Sequence, residues 1–208
     1  MKNILIVGTG GLAHEFTSWF SDYYKIVGYL GLDHSEHSPS NLPGVLYKDL
    51  VTPNLVGTDL VVVAIGIPSV KARIYEKFTN LGFKFPSIIH PSSIVSDNLV
   101  VQEGVVISPN CVVSPNVTLN KLSYLNFCCG IGHNAVIGSF VQINPGSQLG
   151  GLSNIGEGTL VGSGSTVLQG VKVGAKATIG SGSIVFSKVD EGITVMGNPA
   201  KRVRTFES

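Results

Sequence analysis

From Val95 to Val185 an aliphatic residue returns at every sixth position without a gap, through Val101, Ile107, Val113 and so on for sixteen consecutive positions. An amphipathic helix repeats at 3.6 residues and a half-buried strand at 2, so neither long element writes this pattern. Six-residue units belong to a parallel β-helix, in which each unit cannot bury its apolar face alone and stacks on its neighbours. Three units closing one triangular coil would place residues 18 apart in a single column. The expectation for residues 91–208 is a left-handed parallel β-helix, an all-β solenoid. Of the 26 glycines, Gly132, Gly138, Gly150, Gly156, Gly162, Gly174 and Gly180 directly follow the periodic aliphatic. Glycine there is expected to supply the backbone of a tight corner. The fourth residue after the aliphatic is nearly always small or β-branched and is expected to sit beside it in the interior.

Residues 1–90 follow another rule, alternating short apolar runs with amphipathic stretches as βαβ units do. Strands are predicted at Ile4–Val7, Lys25–Leu30, Leu60–Ile65 and Ser87–Ile89, and helices at Ala13–Tyr23 and Val70–Leu81. The unbroken Leu60-Val-Val-Val-Ala-Ile65 suits a parallel sheet covered on both faces. The fold class expected for this part is α/β, half of a Rossmann-like domain. Gly8-Thr-Gly-Gly11 follows a strand and opens a helix, the setting of a phosphate-binding turn. The run also satisfies G-x-G-x-x-A, and Asp33 stands where a ribose-binding acid would. A nicotinamide enzyme is the competing reading, but a domain that ends near residue 90 leaves room for one mononucleotide half, which suits a nucleotide sugar better.

Charged residues make up 13% of the 208, with a formal net charge of +1. No strong field is available to draw nucleic acid or an anionic membrane toward the chain. No apolar stretch nears the roughly 20 residues that span a bilayer. The apolar opening is broken by glycine after Val7 and reads as a buried strand rather than a signal peptide, so a cytoplasmic protein is expected. Cys111, Cys128 and Cys129 are odd in number and lack metal-ligand spacing, which predicts neither a disulfide framework nor a metal site. Cys111 and Cys129 lie 18 apart and are expected as buried structural thiols.

The repeat register, the segment Gly130-Ile-Gly-His-Asn-Ala-Val-Ile-Gly138 and the closing Gly197-Asn-Pro-Ala-Lys201 together resemble the NeuD/PglD family of bacterial sugar acyltransferases. Gly8-Thr-Gly-Gly11, Ala64-Ile-Gly66 and Ile89-His-Pro-Ser92 extend that resemblance over nearly the whole chain. The resemblance implies an N-terminal domain that holds a nucleotide-activated amino sugar, through Gly8, Gly10, Gly11, Asp33 and Gly66. It implies a β-helix that binds acetyl-CoA as acyl donor without a metal, and a homotrimer with active sites between subunits. By the same resemblance His133 is the general base, a task that suits an imidazole. Asn134 follows it where many relatives carry Asp or Glu; a carboxylate would stabilise the imidazolium, whereas an amide orients the ring.

Asn126 matches the family position near the thioester, and Gln142 a position facing the cofactor. Gly151, Ser163 and Ser181 match positions along the pantetheine and adenine path, and Lys201 with Arg202 could meet coenzyme A phosphates. His34, His37 and His90 read as surface or turn residues. The activity implied is acetyl-CoA-dependent N-acetylation of the 4-amino group of a nucleotide-linked amino-dideoxy sugar in surface glycan synthesis. Acylation of a sugar hydroxyl, as by a sialic-acid O-acetyltransferase, is the alternative within the fold, and a non-catalytic nucleotide-sugar-binding protein is the alternative outside enzymes.

Overall fold

The computed structural model describes residues 1–31, 42–49 and 51–203, and the chain divides into two compact units, Met1–Pro86 and Ser87–Ser208.

The first unit is a four-stranded sheet of β1 (Lys2–Val7), β2 (Tyr24–Leu30), β3 (Val45–Tyr47) and β4 (Val61–Val63), with helices α1 (Gly11–Phe20), α2 (Pro53–Val56) and α3 (Pro68–Asn80). The order is β3-β2-β1-β4 with every pair parallel, the half-Rossmann arrangement expected. Ile4 to Val7 are wholly buried and Val61 to Val63 nearly so, as strands covered on both faces must be. Helix α1 buries Ala13, Phe16 and Phe20 at intervals of three and four. Helix α3 opens on Pro68, whose fixed φ and missing N–H suit a first helical turn, and it buries Lys71, Ile74 and Phe78. Strand β3 and α2 were not foreseen. The first is a three-residue edge strand with no buried side chain, and the second is a single turn.

The predicted Ser87–Ile89 strand does not close the first unit. Ile88 and Ile89 pair in parallel with Val106 and Ile107, so they are the first rung of the β-helix. Ile89 stands six residues before Val95 and begins the period; it is 38% exposed, while Ile88 is the buried one.

The second unit is the expected left-handed parallel β-helix. Its two-residue strands stack into three faces, each pair offset by 18 residues as far as Ile184–Val185; the three-residue Thr194–Met196 then pairs with Thr178–Ile179 at an offset of 16. The first face starts at Ile88–Ile89 and carries eight strands, including Tyr124–Leu125, Gln142–Ile143 and, antiparallel at the end, Lys201–Arg202. The second starts at Ile94–Val95 and carries six, including Gly130–Ile131; the third starts at Val100–Val101 and carries five. Every periodic aliphatic from Ile107 to Val185 is buried in one continuous core. At roughly 1.5–3 kcal/mol for each fully buried aliphatic, this column is the main stabilising term of the unit.

Glycine after the aliphatic plays a different part from the one expected. The left-handed turn falls two residues later, with positive φ at Asn110, Asn116, Cys128, Asn134 and their counterparts, and at Gly146, Gly158 and Gly164. The glycine next to the aliphatic is needed because the coil above passes too close for a side chain: a Cβ on Gly138 would lie 2.6 Å from the Glu157 nitrogen.

The small residues four places on have a polar task as well as a steric one. Ser93, Cys111, Cys129, Ser147 and Ser165 form one column, and each hydroxyl or thiol donates to the carbonyl fifteen residues ahead: Ser108, Asn126, Asn144, Gly162 and Gly180. This satisfies a corner carbonyl that would otherwise be buried unpaired. The two cysteines are thus stand-ins for serine, buried as expected. The neighbouring Cys111 thiol, with burial, pushes Cys129 above the ordinary thiol range.

Candidate active site

His133 is the second residue after Ile131, at the corner that follows the second face, and it is exposed there. The next residue, Asn134, sits in the left-handed region at φ 60°, a conformation asparagine tolerates better than most side chains. That backbone aims its amide back at the ring, and Nδ1 of His133 lies 3.0 Å from Oδ1 of Asn134. An oxygen acceptor at Nδ1 requires the proton there, which leaves Nε2 with a lone pair. Asn134 N–H donates to Pro115 O, and the carbonyl of His133 accepts from Leu152 N–H, so the main chain of the pair is fixed to the coils on either side.

Gly151 is one coil above His133 in the same column. A Cβ on Gly151 would fall 2.6 Å from Nε2 and 2.9 Å from Cδ2 and Cε1 of the imidazole. The absence of a side chain at Gly151 is what makes room for the ring. Gly151 had been expected on the cofactor path; its contact with His133 was missed, although adding 18 to 133 would have found it.

The remaining candidates of this unit lie elsewhere. Asn126, Ser163 and Ser181 occupy the corner that follows the first face, and Gln142 lies on that face itself. Asn126 is buried with its Oδ1 accepting from Phe127 N–H at 2.8 Å, and Gln142 is buried with Nε2 donating to Asn144 Oδ1 at 3.2 Å. Lys201 is exposed in the terminal strand of the same face, beside a cavity of about 260 Å³ shared with Arg202 and the Lys188–Asp190 ion pair. One chain therefore gathers His133, Asn134 and Gly151 at one corner and Asn126, Ser163 and Ser181 at another.

In the first unit Gly8 has φ +123°, and a Cβ there would lie 2.6 Å from the Ala64 carbonyl oxygen, so only glycine lets β1 pass the end of β4. Gly10 caps α1 with no side-chain bond, and the space above Gly10 and Gly11 is open, leaving the N–H groups of Gly11 and Leu12 for an anion. Gly66 faces Leu12. Asp33, His34 and His37 lie outside the described residues. His90 bonds Ser92 through Nδ1 at 2.8 Å. Among the described residues no group of three His, Cys, Asp or Glu is placed to hold a metal ion, and no helix is long and apolar enough to cross a membrane.

The repeat architecture is that of the left-handed β-helix transferases. The model of the bacterial transferase hexapeptide, six repeats, matches residues 152–187. The structure is similar to PerB from Caulobacter crescentus in complex with CoA and GDP-perosamine, at 26% identity and a TM-score of 0.89 over 98% of each chain. It is similar to the acetyltransferase domain of PglB from Neisseria gonorrhoeae, at 28% identity and a TM-score of 0.85 over 98% of this chain and all of the other. The same domain in complex with acetyl coenzyme A gives 28% identity and a TM-score of 0.84 over 97% of this chain and 99% of the other. No curated protein sequence matches the chain. The chain is thus similar over nearly its whole length to sugar acetyltransferases of the left-handed β-helix type, and its repeats match the bacterial transferase hexapeptide.

Proposed function

We propose that the protein transfers the acetyl group of acetyl-CoA to the 4-amino group of a nucleotide-linked amino-dideoxy sugar. The observation that carries this reading is the His133 imidazole, exposed and tied through Nδ1 to Asn134, with Nε2 free to take a proton. In the reaction the sugar nitrogen attacks the thioester carbonyl, Nε2 accepts the proton the nitrogen gives up, and the carbon–sulfur bond breaks. The departing thiolate then takes that proton back from the imidazolium. Asn134 holds the ring in the productive tautomer throughout. Complexes of PerB with CoA and GDP-perosamine, and of the PglB domain with acetyl coenzyme A, support the choice of donor and of a nucleotide sugar as acceptor.

The active unit in this reading is a homotrimer. His133 with Gly151, and Asn126, Ser163 and Ser181, stand at different corners of one chain, so a site holding both sets takes them from neighbouring copies. Apolar side chains on the outward positions of two faces, Ile94 and Val112 on the second and Val100 and Val136 on the third, are exposed and support such an assembly. Acetyl-CoA lies along the corner with Ser163 and Ser181, and Lys201 meets its phosphates. The diphosphate of the sugar nucleotide rests on the Gly8–Gly11 turn.

The test is thiol release from acetyl-CoA with UDP-, GDP- and dTDP-linked 4-amino sugars. Turnover on one of them is expected. Binding of these nucleotides without turnover on any would sink the assignment in favour of a binding protein.

A further inference from the structure

Two side chains on the coils above His133 are left out of the core. The column that holds His133 continues through Gly151 to Gln169, each 18 residues on. Gly170 N–H donates to Gly151 O at 2.9 Å, and a Cβ on Gly150 would lie 2.5 Å from the Gln169 nitrogen, so the Gln169 corner rests directly on the Gly151 corner. Gly151 has no side chain and the imidazole fills its place, so Gln169 carries the first side chain of the column above Nε2. It is exposed, and among the described residues its amide makes no hydrogen bond.

Leu152 is the second. It stands one coil above Asn134, and its N–H donates to the His133 carbonyl at 2.8 Å. Its φ is 61°, a region that disfavours a bulky side chain. Leu122 and Phe140 share that backbone, but Leu122 is buried and Phe140 half-buried, so packing offsets the strain. Leu152 is 53% exposed and has no such compensation within its own chain. The two coils below use Asn116 and Asn134 at this corner, a residue type that tolerates the left-handed region. An exposed apolar side chain on strained backbone, beside a reactive imidazole, marks a surface that a ligand covers.

We propose that Leu152 and Gln169 determine which acceptor sugar is acetylated, an inference that rests on the acetyltransferase reading of His133. When a 4-amino group is presented to Nε2, its carbon is flanked by C3, which carries a polar group, and by C5, which carries C6. Leu152 and Gln169 leave consecutive coils, which stack about 4.8 Å apart, a spacing comparable with that between those two substituents. The 6-deoxy methyl lies against Leu152, and the Gln169 amide hydrogen-bonds the polar group on C3. A 6-hydroxyl would be pressed onto Leu152 without a partner. The site thereby takes a 4-amino-4,6-dideoxy sugar with a polar group on C3 and disfavours its 6-hydroxylated counterpart.

The experiment measures kcat/KM for acetyl transfer to the nucleotide-linked 4-amino-4,6-dideoxy sugar that the wild type accepts, to its 6-hydroxy counterpart and to its 3-deoxy counterpart. The proteins are the wild type, Leu152→Asn and Gln169→Ala. Asparagine suits the left-handed backbone and Gln169 is exposed, so both variants are expected to fold. Ratios taken within one protein are also insensitive to a fraction of inactive enzyme. The wild type should prefer the 6-deoxy over the 6-hydroxy sugar by about tenfold to a hundredfold, and Leu152→Asn should bring that preference within about threefold. Gln169→Ala should keep it and instead lose the preference for the C3 polar group over the 3-deoxy sugar. Turnover with both ratios unchanged in the variants would overturn the proposal and leave the acetyltransferase reading intact. Equal losses on all three sugars, with an altered oligomeric state by light scattering, would overturn it as well, by making Leu152 a contact between subunits. Transfer to none of the sugars would defeat the acetyltransferase reading itself, and the proposal with it.

Discussion

The imidazole of His133 rests on the Cα of Gly151, one coil above it, so closely that a methyl group at Gly151 would fall 2.6 Å from Nε2. Gly151→Ala keeps the backbone N–H and removes only this space. The ring must then turn away from the position Asn134 gives it. A displacement of about 1 Å can cost on the order of 10²-fold in rate, so kcat for acetyl transfer should fall by about tenfold to a hundredfold. The Kd for CoA should change by less than about twofold if Gly151 acts through the ring rather than on the cofactor. Steady-state kinetics beside calorimetry separates the two.

Asn134 orients His133 without charge. Asn134→Asp preserves an acceptor and a side chain that tolerates positive φ, and adds a carboxylate that stabilises the imidazolium. The kcat/KM for acetyl transfer should rise in the variant, because the imidazolium formed during transfer is better held. A value equal to wild type would show that the side chain at Asn134 does not act through His133.

Burial pushes the amine of Lys71 down to about 7. Its ordinary value is 10.5, so between about pH 7 and 10 the unfolded chain binds a proton that the folded chain does not, and stability contributed by this group rises with pH across that window. Lys71→Met removes the ionisable group. The difference in Tm between variant and wild type, largest near pH 7 with the variant higher, should shrink steadily toward pH 10. A constant difference would show that Lys71 is charged in the fold.

The strict period of six made the second unit legible, because no other arrangement satisfies sixteen aliphatics at that spacing. What it hid was the beginning. Ile89 keeps the period but is partly exposed, while Ile88, out of phase, is the buried one, so the pattern alone reads as ending at Val95. The corner glycines were legible as necessary but not for the right reason: their need comes from a coil 18 residues away, and the left-handed positions two residues later include Asn110, Asn116 and Asn134, whose type hinted at that backbone, but also Leu122, Phe140 and Leu152, whose type did not. Strand β3 left no mark because an exposed three-residue edge buries nothing that would impose a pattern.

The candidate site was legible to a lesser degree. His133 stood out by its motif, and its neighbour Asn134 by departing from one. The contact with Gly151 follows from the 18-residue column and could have been read from the sequence.

The most direct test of the account is the turnover of His133→Ala with acetyl-CoA and the nucleotide sugar that the wild type accepts, followed by release of the CoA thiol. If His133 is the base, kcat should fall by on the order of 10²-fold or more, with KM for acetyl-CoA little changed. A variant that turns over within a few-fold of the wild type would contradict the account.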